Sequence, residues 1–176
     1  EINNLNVFPV PDGDTGTNML LTLGAASRGL QEAADAGIGT LAKRTADSAI
    51  MGARGNSGVI LAQLFRGIAR GLAGKEEASS CEIGKAFQYG VLYAYRAVAQ
   101  PVEGTILTVA KGVARGARRA VREERSFSEV LAAALQVGEE ELAKTPLLLK
   151  ALRDAGVVDA GGKGLLVFLQ GCAEGL

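Results

Sequence analysis

No histidine occurs among the 176 residues of the chain, and this removes the commonest general base, the commonest transition-metal ligand and any phosphohistidine intermediate together. Zinc chemistry and Ser-His triads are excluded. The only two cysteines, Cys81 and Cys172, lie far apart and outside any Cys-x-x-Cys pattern, so two buried thiols are expected instead of a metal site or redox pair. No apolar run approaches the roughly 20 residues of a transmembrane helix, and the first ten residues lack a basic stretch leading into an apolar one. The expectation is a cytoplasmic chain with no transmembrane segment. An excess of one charge is missing too: 19 basic and 19 acidic side chains cancel, so no overall field draws nucleic acid or an anionic membrane, and any charge argument must be local.

Strand signals are also wanting. Alanine and leucine dominate, apolar positions recur every three or four residues, and period-2 alternation does not appear. A hydrophobic fraction of 48% is ample for a core, the length suits one domain, residues 1–176, and no internal repeat or boundary shows. The periodicity predicts helices from Asn18 to Ala34, Thr40 to Met51, Val59 to Leu72 with Asn56 or Ser57 as N-cap, and then one carrying Ile83, Phe87, Val91, Ala94, Tyr95 and Val98, ended by Pro101. Further helices are expected over Glu103–Arg122, from the capping box Ser126/Glu129, from Thr145 as N-cap with Pro146 at N1 and Gly156 closing, and over Leu165–Ala173. Seven or eight antiparallel helices with short connections make an all-α bundle or helical barrel.

The 24 glycines are about twice the usual share and fall singly or in short clusters, without collagen period or linker character. Three clusters bear on chemistry. In Pro9-Val10-Pro11-Asp12-Gly13-Asp14-Thr15-Gly16-Thr17-Asn18, two carboxylates stand two residues apart in a loop before an apolar run. Carboxylate oxygens suit Mg²⁺ or Ca²⁺, and Gly13 and Gly16 allow the backbone to bend around an ion. The amides of Thr15 to Asn18 sit where a helix N-terminus would receive phosphate. An acidic turn is the plain alternative, and an EF-hand fails because Thr17 stands where glycine is needed and Leu23 where the bidentate glutamate belongs. Asn6, across the stiff Pro9/Pro11 stretch, could return its amide oxygen to the same ion.

Gly52-Ala53-Arg54-Gly55-Asn56-Ser57-Gly58 is not a P-loop, yet its three glycines would allow close backbone approach to phosphate, with Arg54 as a charge partner; an ordinary helix-helix turn is the alternative. Asp159-Ala160-Gly161-Gly162-Lys163-Gly164 is a similar loop. Lys111, Arg115, Arg118, Arg119 and Arg122 share one helical face, read as a solvated surface that an acidic partner could use; without interleaved aromatics it does not suit nucleic acid.

Together, Leu5 to Met19, Met51 to Leu61, Pro101 to Val109 and Gly156 to Gly164 resemble the N-terminal nucleotide-binding domain of bacterial fatty acid kinase over nearly the whole chain. That domain is similar in turn to the ATP-binding subunit of dihydroxyacetone kinases, the DhaL-like fold, an α-helical barrel with ATP and two Mg²⁺ at its open end. The resemblance implies Asp12 and Asp14 as Mg²⁺ ligands and catalytic residues, and Thr15, Gly16, Thr17 and Asn18 with Gly55, Asn56, Ser57 and Gly58 as phosphate contacts. It implies Asp159 and Gly161 in a loop over the nucleotide, and Thr105 and Ile106 beside the adenine. Asn6 takes the place of a third aspartate found in the dihydroxyacetone branch and is the candidate third metal ligand. The family also implies a longer protein with C-terminal domains and a separate fatty-acid-binding protein as partner; a homodimer is left open, and no nucleic acid is implied. The expected reaction is ATP- and Mg²⁺-dependent phosphorylation of a fatty acid carboxylate, which needs no deprotonation near neutral pH and so no histidine. A dihydroxyacetone-type kinase subunit and a non-catalytic nucleotide-binding module are the alternatives.

Overall fold

The structure, a computed structural model, describes residues 1–31 and 36–176; the expected end of the first helix at Ala34 lies outside the described residues. Among these residues there are eight α-helices and no strand: α1 (Thr15–Gln31), α2 (Ile38–Gly52), α3 (Gly55–Gly71), α4 (Ser80–Ala97), α5 (Ile106–Arg122), α6 (Phe127–Leu148), α7 (Lys150–Ala155) and α8 (Ala160–Glu174). The all-α expectation holds. None of these helices is long and apolar enough to cross a membrane. They fall into two compact units, Glu1–Thr17 with Gln100–Leu176, and Asn18–Ala99.

In the first unit α5 is buried over most of its circumference, from Ile106 through Ala110 and on through Gly112, Val113, Ala114, Gly116, Ala117 and Ala120. Lys111, Arg115, Arg118, Arg119 and Arg122 are all exposed, which makes them the narrow polar stripe of an otherwise apolar helix. Lys111 Nζ lies 2.8 Å from Glu103 and Arg115 Nη2 lies 2.7 Å from Glu141, so part of the stripe is neutralised locally. Small residues set the approach of α6. A Cβ at Gly116 would come within 2.3 Å of the Ala133 carbonyl oxygen, and Val130, Leu131, Ala134 and Val137 of α6 are buried on this side of the core with Leu165, Leu166 and Leu169 of α8. Each fully buried aliphatic side chain stabilises by roughly 1.5–3 kcal/mol. A short 3-10 turn, Ile2–Leu5, packs on α8.

Thr145 and Pro146 do not begin a helix; they lie inside α6, which continues to Leu148. Proline has no N–H to offer the carbonyl four residues back, that of Leu142. Thr145 Oγ1 donates to that carbonyl at 2.7 Å and thereby replaces the missing bond. The helix ends soon after, and α7 is closed by Gly156 at φ +68°, as expected of an αL terminus.

The second unit is built from α2, α3, α4 and all of α1 beyond Thr17. Its apolar centre holds Ala26, Ala49 and Ala62 with Ala53 and Phe65 against them. Close contact again rests on glycine: a Cβ at Gly67 of α3 would lie 2.2 Å from the Tyr89 carbonyl oxygen of α4, and one at Gly52 would lie 2.2 Å from the Ala25 methyl. On α4 the deepest positions are Gly84, Ala86, Gly90 and Ala94, while Ile83, Phe87, Val91 and Tyr95 of the expected stripe are only half-buried. A capping box of Ser79 and Glu82 starts this helix. Both cysteines are exposed, against the expectation of buried thiols. Cys81 falls in the first turn of α4 and Cys172 in the last turn of α8, both at helix ends.

Candidate functional site

Asn6 organises the acidic loop. It is 7% exposed; its Nδ2 donates to the Val10 carbonyl at 2.9 Å and to Asp12 Oδ1 at 2.7 Å, and its Oδ1 accepts the Thr15 hydroxyl. The two donations fix which end of the amide faces Asp12. Asn6, the expected third metal ligand, therefore turns nitrogen and not oxygen toward Asp12, and it braces the loop. Asp12 and Asp14 are both exposed, with Gly13 between them at φ +67°, a backbone that glycine adopts without strain. Asp14 directly precedes α1.

The first turn of α1 is tied down from the N-terminal side. Asn3 Oδ1 accepts from the Thr17 amide at 3.1 Å and Asn3 Nδ2 donates to Thr17 Oγ1 at 3.0 Å. Gly16 is the residue this needs, since a Cβ there would lie 2.8 Å from Asn3 Oδ1 and 3.1 Å from Ile2 Cβ. Among the amides of Thr15 to Asn18, that of Thr17 is thus already taken, whereas Thr15 gives Asn6 its hydroxyl and not its amide. Sequence reasoning missed Asn3 altogether, because nothing local marks a residue 14 positions away as a cap.

Also in the first unit, Asp159 ends the short connection 157–159. It is the N-cap of α8, buried, with Oδ2 accepting from the Gly162 amide at 2.7 Å. Gly161 occupies the first turn of the helix and is itself buried. The Ile106 and Gly161 amides also point at the Asp159 carboxylate, but desolvation outweighs these bonds and raises its pKa to about 6. One carboxylate therefore caps the N-termini of both α5 and α8. Its own amide donates to Thr145 Oγ1 at 3.1 Å, so the hydroxyl that mends α6 also steadies α8. Thr105 is the N-cap of α5, accepting from Leu107 at 3.4 Å and donating to the Val102 carbonyl at 2.8 Å.

In the second unit, Gly55-Asn56-Ser57-Gly58 is the first turn of α3, with Arg54 as N-cap and no side-chain cap bond. Asn56 and Ser57 are helical residues and not the expected caps. The amides of Gly55, Asn56 and Ser57 stand among the first donors of the helix, which have no intrahelical partner, whereas the Arg54 amide donates to Thr22 Oγ1 at 3.2 Å. Gly55 has φ +60°, and a Cβ there would lie 2.4 Å from Asn18 Nδ2. Gly58 has a packing reason as well, because a Cβ would lie 2.4 Å from Thr22 Oγ1. Thr22, completely buried, was not legible as a site residue; it bridges α1 to the entrance of α3. Arg54 turns Nη1 to the Ala53 carbonyl at 2.9 Å.

The donor set admits Mg²⁺ in one manner. Among the described residues no group of three or more acidic, Cys or His side chains is arranged to hold a metal, so a closed protein cage is absent there. Mg²⁺ is commonly held by one or two carboxylates with waters and substrate phosphates supplying the rest, and two exposed carboxylates on a braced loop fit that use.

Comparison with known proteins agrees over nearly the full length. The family model of the DAK2 domain matches residues 9–174. The chain is 46% identical over 175 residues to an uncharacterized protein of Staphylococcus epidermidis, covering 99% of this chain and 32% of that protein. It is also 46% identical over 170 residues to protein YloV of Bacillus subtilis, covering 97% and 31%. An uncharacterized protein of Staphylococcus aureus is 45% identical over 175 residues, covering 99% and 32%. The chain thus spans about a third of the length of these relatives.

Proposed function

Because the chain belongs to the DAK2 domain family, a family of kinase domains usually found within multi-component kinase systems, we propose that it is an ATP- and Mg²⁺-dependent phosphotransferase domain. Its acceptor is a fatty acid carboxylate presented by a separate fatty-acid-binding protein, and its product an acyl phosphate. The observation that carries the reading is the Asp12-Gly13-Asp14 loop, whose two carboxylates are exposed while buried Asn6 and Thr15 hold the backbone behind them.

In this reading Asp12 and Asp14 hold Mg²⁺, which when bound neutralises phosphate charge. The remaining chemistry is positioning. A carboxylate oxygen of the acceptor forms the new P–O bond to the γ-phosphorus, and the bond from that phosphorus to the β,γ-bridging oxygen breaks, leaving ADP with the electron pair. Such transfer depends on preorganised donors more than on a base, consistent with a chain that has no histidine. Each unit is assigned its own phosphate-binding candidates: Gly16 at the start of α1 in the first, and in the second Asn18 with the uncapped Gly55, Asn56 and Ser57 amides and Gly58. Thr105 and Ile106 are assigned to the adenine side, and Asp159 and Gly161, at the start of α8, to the segment over the nucleotide.

Calorimetric titration with ATP, with and without Mg²⁺, tests the assignment. Asp12→Asn and Asp14→Asn are each expected to remove the Mg²⁺-dependent part of the affinity while circular dichroism stays native; unchanged affinity in both would rule the role out. Consumption of ATP only in the presence of a fatty-acid-loaded carrier tests the acceptor.

A further inference from the structure

The second unit also carries an open cavity of about 450 Å³, lined by the start of α2, the C-terminal half of α3, the turn that follows and Tyr93 of α4. That volume lies within the span of small-molecule sites, roughly 300–1,000 Å³. Its charged lining is Lys43, Arg66, Arg70 and Lys75 against Asp47 and Glu76. Both lysines are committed, Lys43 Nζ to Asp47 at 2.8 Å and Lys75 Nζ to Glu82 at 2.6 Å. Glu76 is folded over the turn before α2, where a Cβ on Gly37 would lie 2.3 Å from its Oε2. Among the described residues, nothing forms an ion pair or hydrogen bond with Arg66 or Arg70.

Those two arginines are four residues apart on α3, hence on one face and about 6 Å apart along the axis. Guanidinium groups bind oxyanions through paired N–H donors, so one wall of the cavity presents two such forks side by side. The helix N-terminus at the same cavity contributes little: the Ile38 and Gly39 amides already donate to the Glu76 and Lys75 carbonyls at 3.0 and 2.9 Å. Recognition therefore falls to side chains. Ala69, Ala73 and Tyr93 add apolar surface beside the arginines, which a bare inorganic ion would leave unused. A concave site of this size with one aromatic residue does not suit a nucleic-acid strand, which needs an extended basic track with stacking platforms.

We propose that this cavity binds a small organic dianion, a phosphomonoester or a dicarboxylate, with Arg66 and Arg70 gripping its oxyanion groups and Ala69, Ala73 and Tyr93 its body. The site lies near the C-terminal end of α3, whereas the proposed phosphate contacts lie at the N-terminal end, and it does not depend on the kinase assignment.

The test is a titration of the ¹⁵N-labelled chain with glycerol 3-phosphate, glutarate and inorganic phosphate in parallel, followed at the arginine Nε–Hε resonances. At least one organic dianion should produce saturable shifts in the Arg66 and Arg70 signals at millimolar concentration, and bind more tightly than inorganic phosphate. Preference for glycerol 3-phosphate or for glutarate identifies the phosphate or the carboxylate source. Arg66→Gln/Arg70→Gln should weaken binding by roughly tenfold or more, the loss expected when charge-assisted hydrogen bonds are removed, with an unchanged melting temperature. Arg66→Lys, which keeps the charge and loses the fork, should fall between. The Asp12→Asn/Asp14→Asn variant should bind as the parent does, so failure of the kinase assignment leaves this result untouched. Shifts that stay linear into tens of millimolar, saturation that survives the double arginine variant, or equal affinity for inorganic phosphate would each overturn the proposal.

Discussion

Replacing Asp159 with asparagine should change the pH dependence of stability in a direction fixed by its burial. The carboxylate is 6% exposed and its pKa is raised from 3.8 to about 6 because desolvation outweighs the bonds from the Gly162, Ile106 and Gly161 amides. A raised acid pKa means the folded state holds the proton more tightly than the unfolded state between these values, so stability falls as pH rises through that window. The contribution is fully present below about pH 3.8 and gone above about pH 6. A shift of about two pH units corresponds to roughly 3 kcal/mol. The substituted amide would keep one acceptor for the Gly162 N–H but turn a donor toward other donors, a fixed cost of about 1–3 kcal/mol. That cost does not vary with pH.

Comparing parent and Asp159→Asn by urea unfolding at several pH values between about 4 and 7.5 therefore separates the two effects. The parent should lose up to about 3 kcal/mol relative to the variant on going from the acid to the neutral end. Titrations elsewhere cancel in the difference, including that of Glu82, which its bonds to Lys75 and Ser79 hold down to about 2. If the two stability curves run parallel across the range, the Asp159 carboxyl is not desolvated as described, and its placement as a shared cap fails.

Two further perturbations address the packing. Gly67→Ala places a methyl 2.2 Å from the Tyr89 carbonyl oxygen, so overpacking should outweigh the gain in helix propensity and destabilise by about 1–3 kcal/mol, whereas Gly171→Ala, with nothing within 4 Å of the new Cβ, should stabilise by about 0.5–1 kcal/mol; thermal melts that rank the pair in the opposite order refute the contact. Thr145→Val keeps the shape but leaves the Leu142 carbonyl and the Asp159 amide without partners, and should cost about 1–3 kcal/mol in denaturant unfolding; a neutral result would mean that Pro146 is not being compensated in this manner.

Helix existence is legible in the sequence because apolar spacing reports one buried face, and most boundaries follow from it within a few residues. The Ser126/Glu129 capping box is visible from its motif alone. The same motif at Ser79 and Glu82 is hidden, since the polar stretch around it looks like a linker. A Thr-Pro pair signals a helix start, and only the tertiary position of Thr145 reveals that its hydroxyl replaces the backbone donor that Pro146 lacks. Glycines are legible only in part. Gly58 and Gly161 suggest approach points for a ligand, and the structure adds a packing role that the sequence does not show, since both lie inside the first turns of helices with neighbours close against them. Sequence shows that a side chain is missing but not which atom fills the space. The acidic pair is visible as chemistry, whereas its support, Asn3 reaching Thr17 and Asn6 reaching Val10, Asp12 and Thr15, exists only once the chain has turned back on itself.

Where Gly67 meets Tyr89 and Gly116 meets Ala133, the spacing between neighbouring helices is set by backbone atoms rather than by side chains. Side chains can change rotamer to absorb a misfit; a carbonyl in a hydrogen-bonded helix cannot. A single added carbon at either seam must then be accommodated by sliding or tilting an entire rod. These two junctions act as gauge blocks, and tolerance to substitution should be lowest along them even though they carry no chemistry.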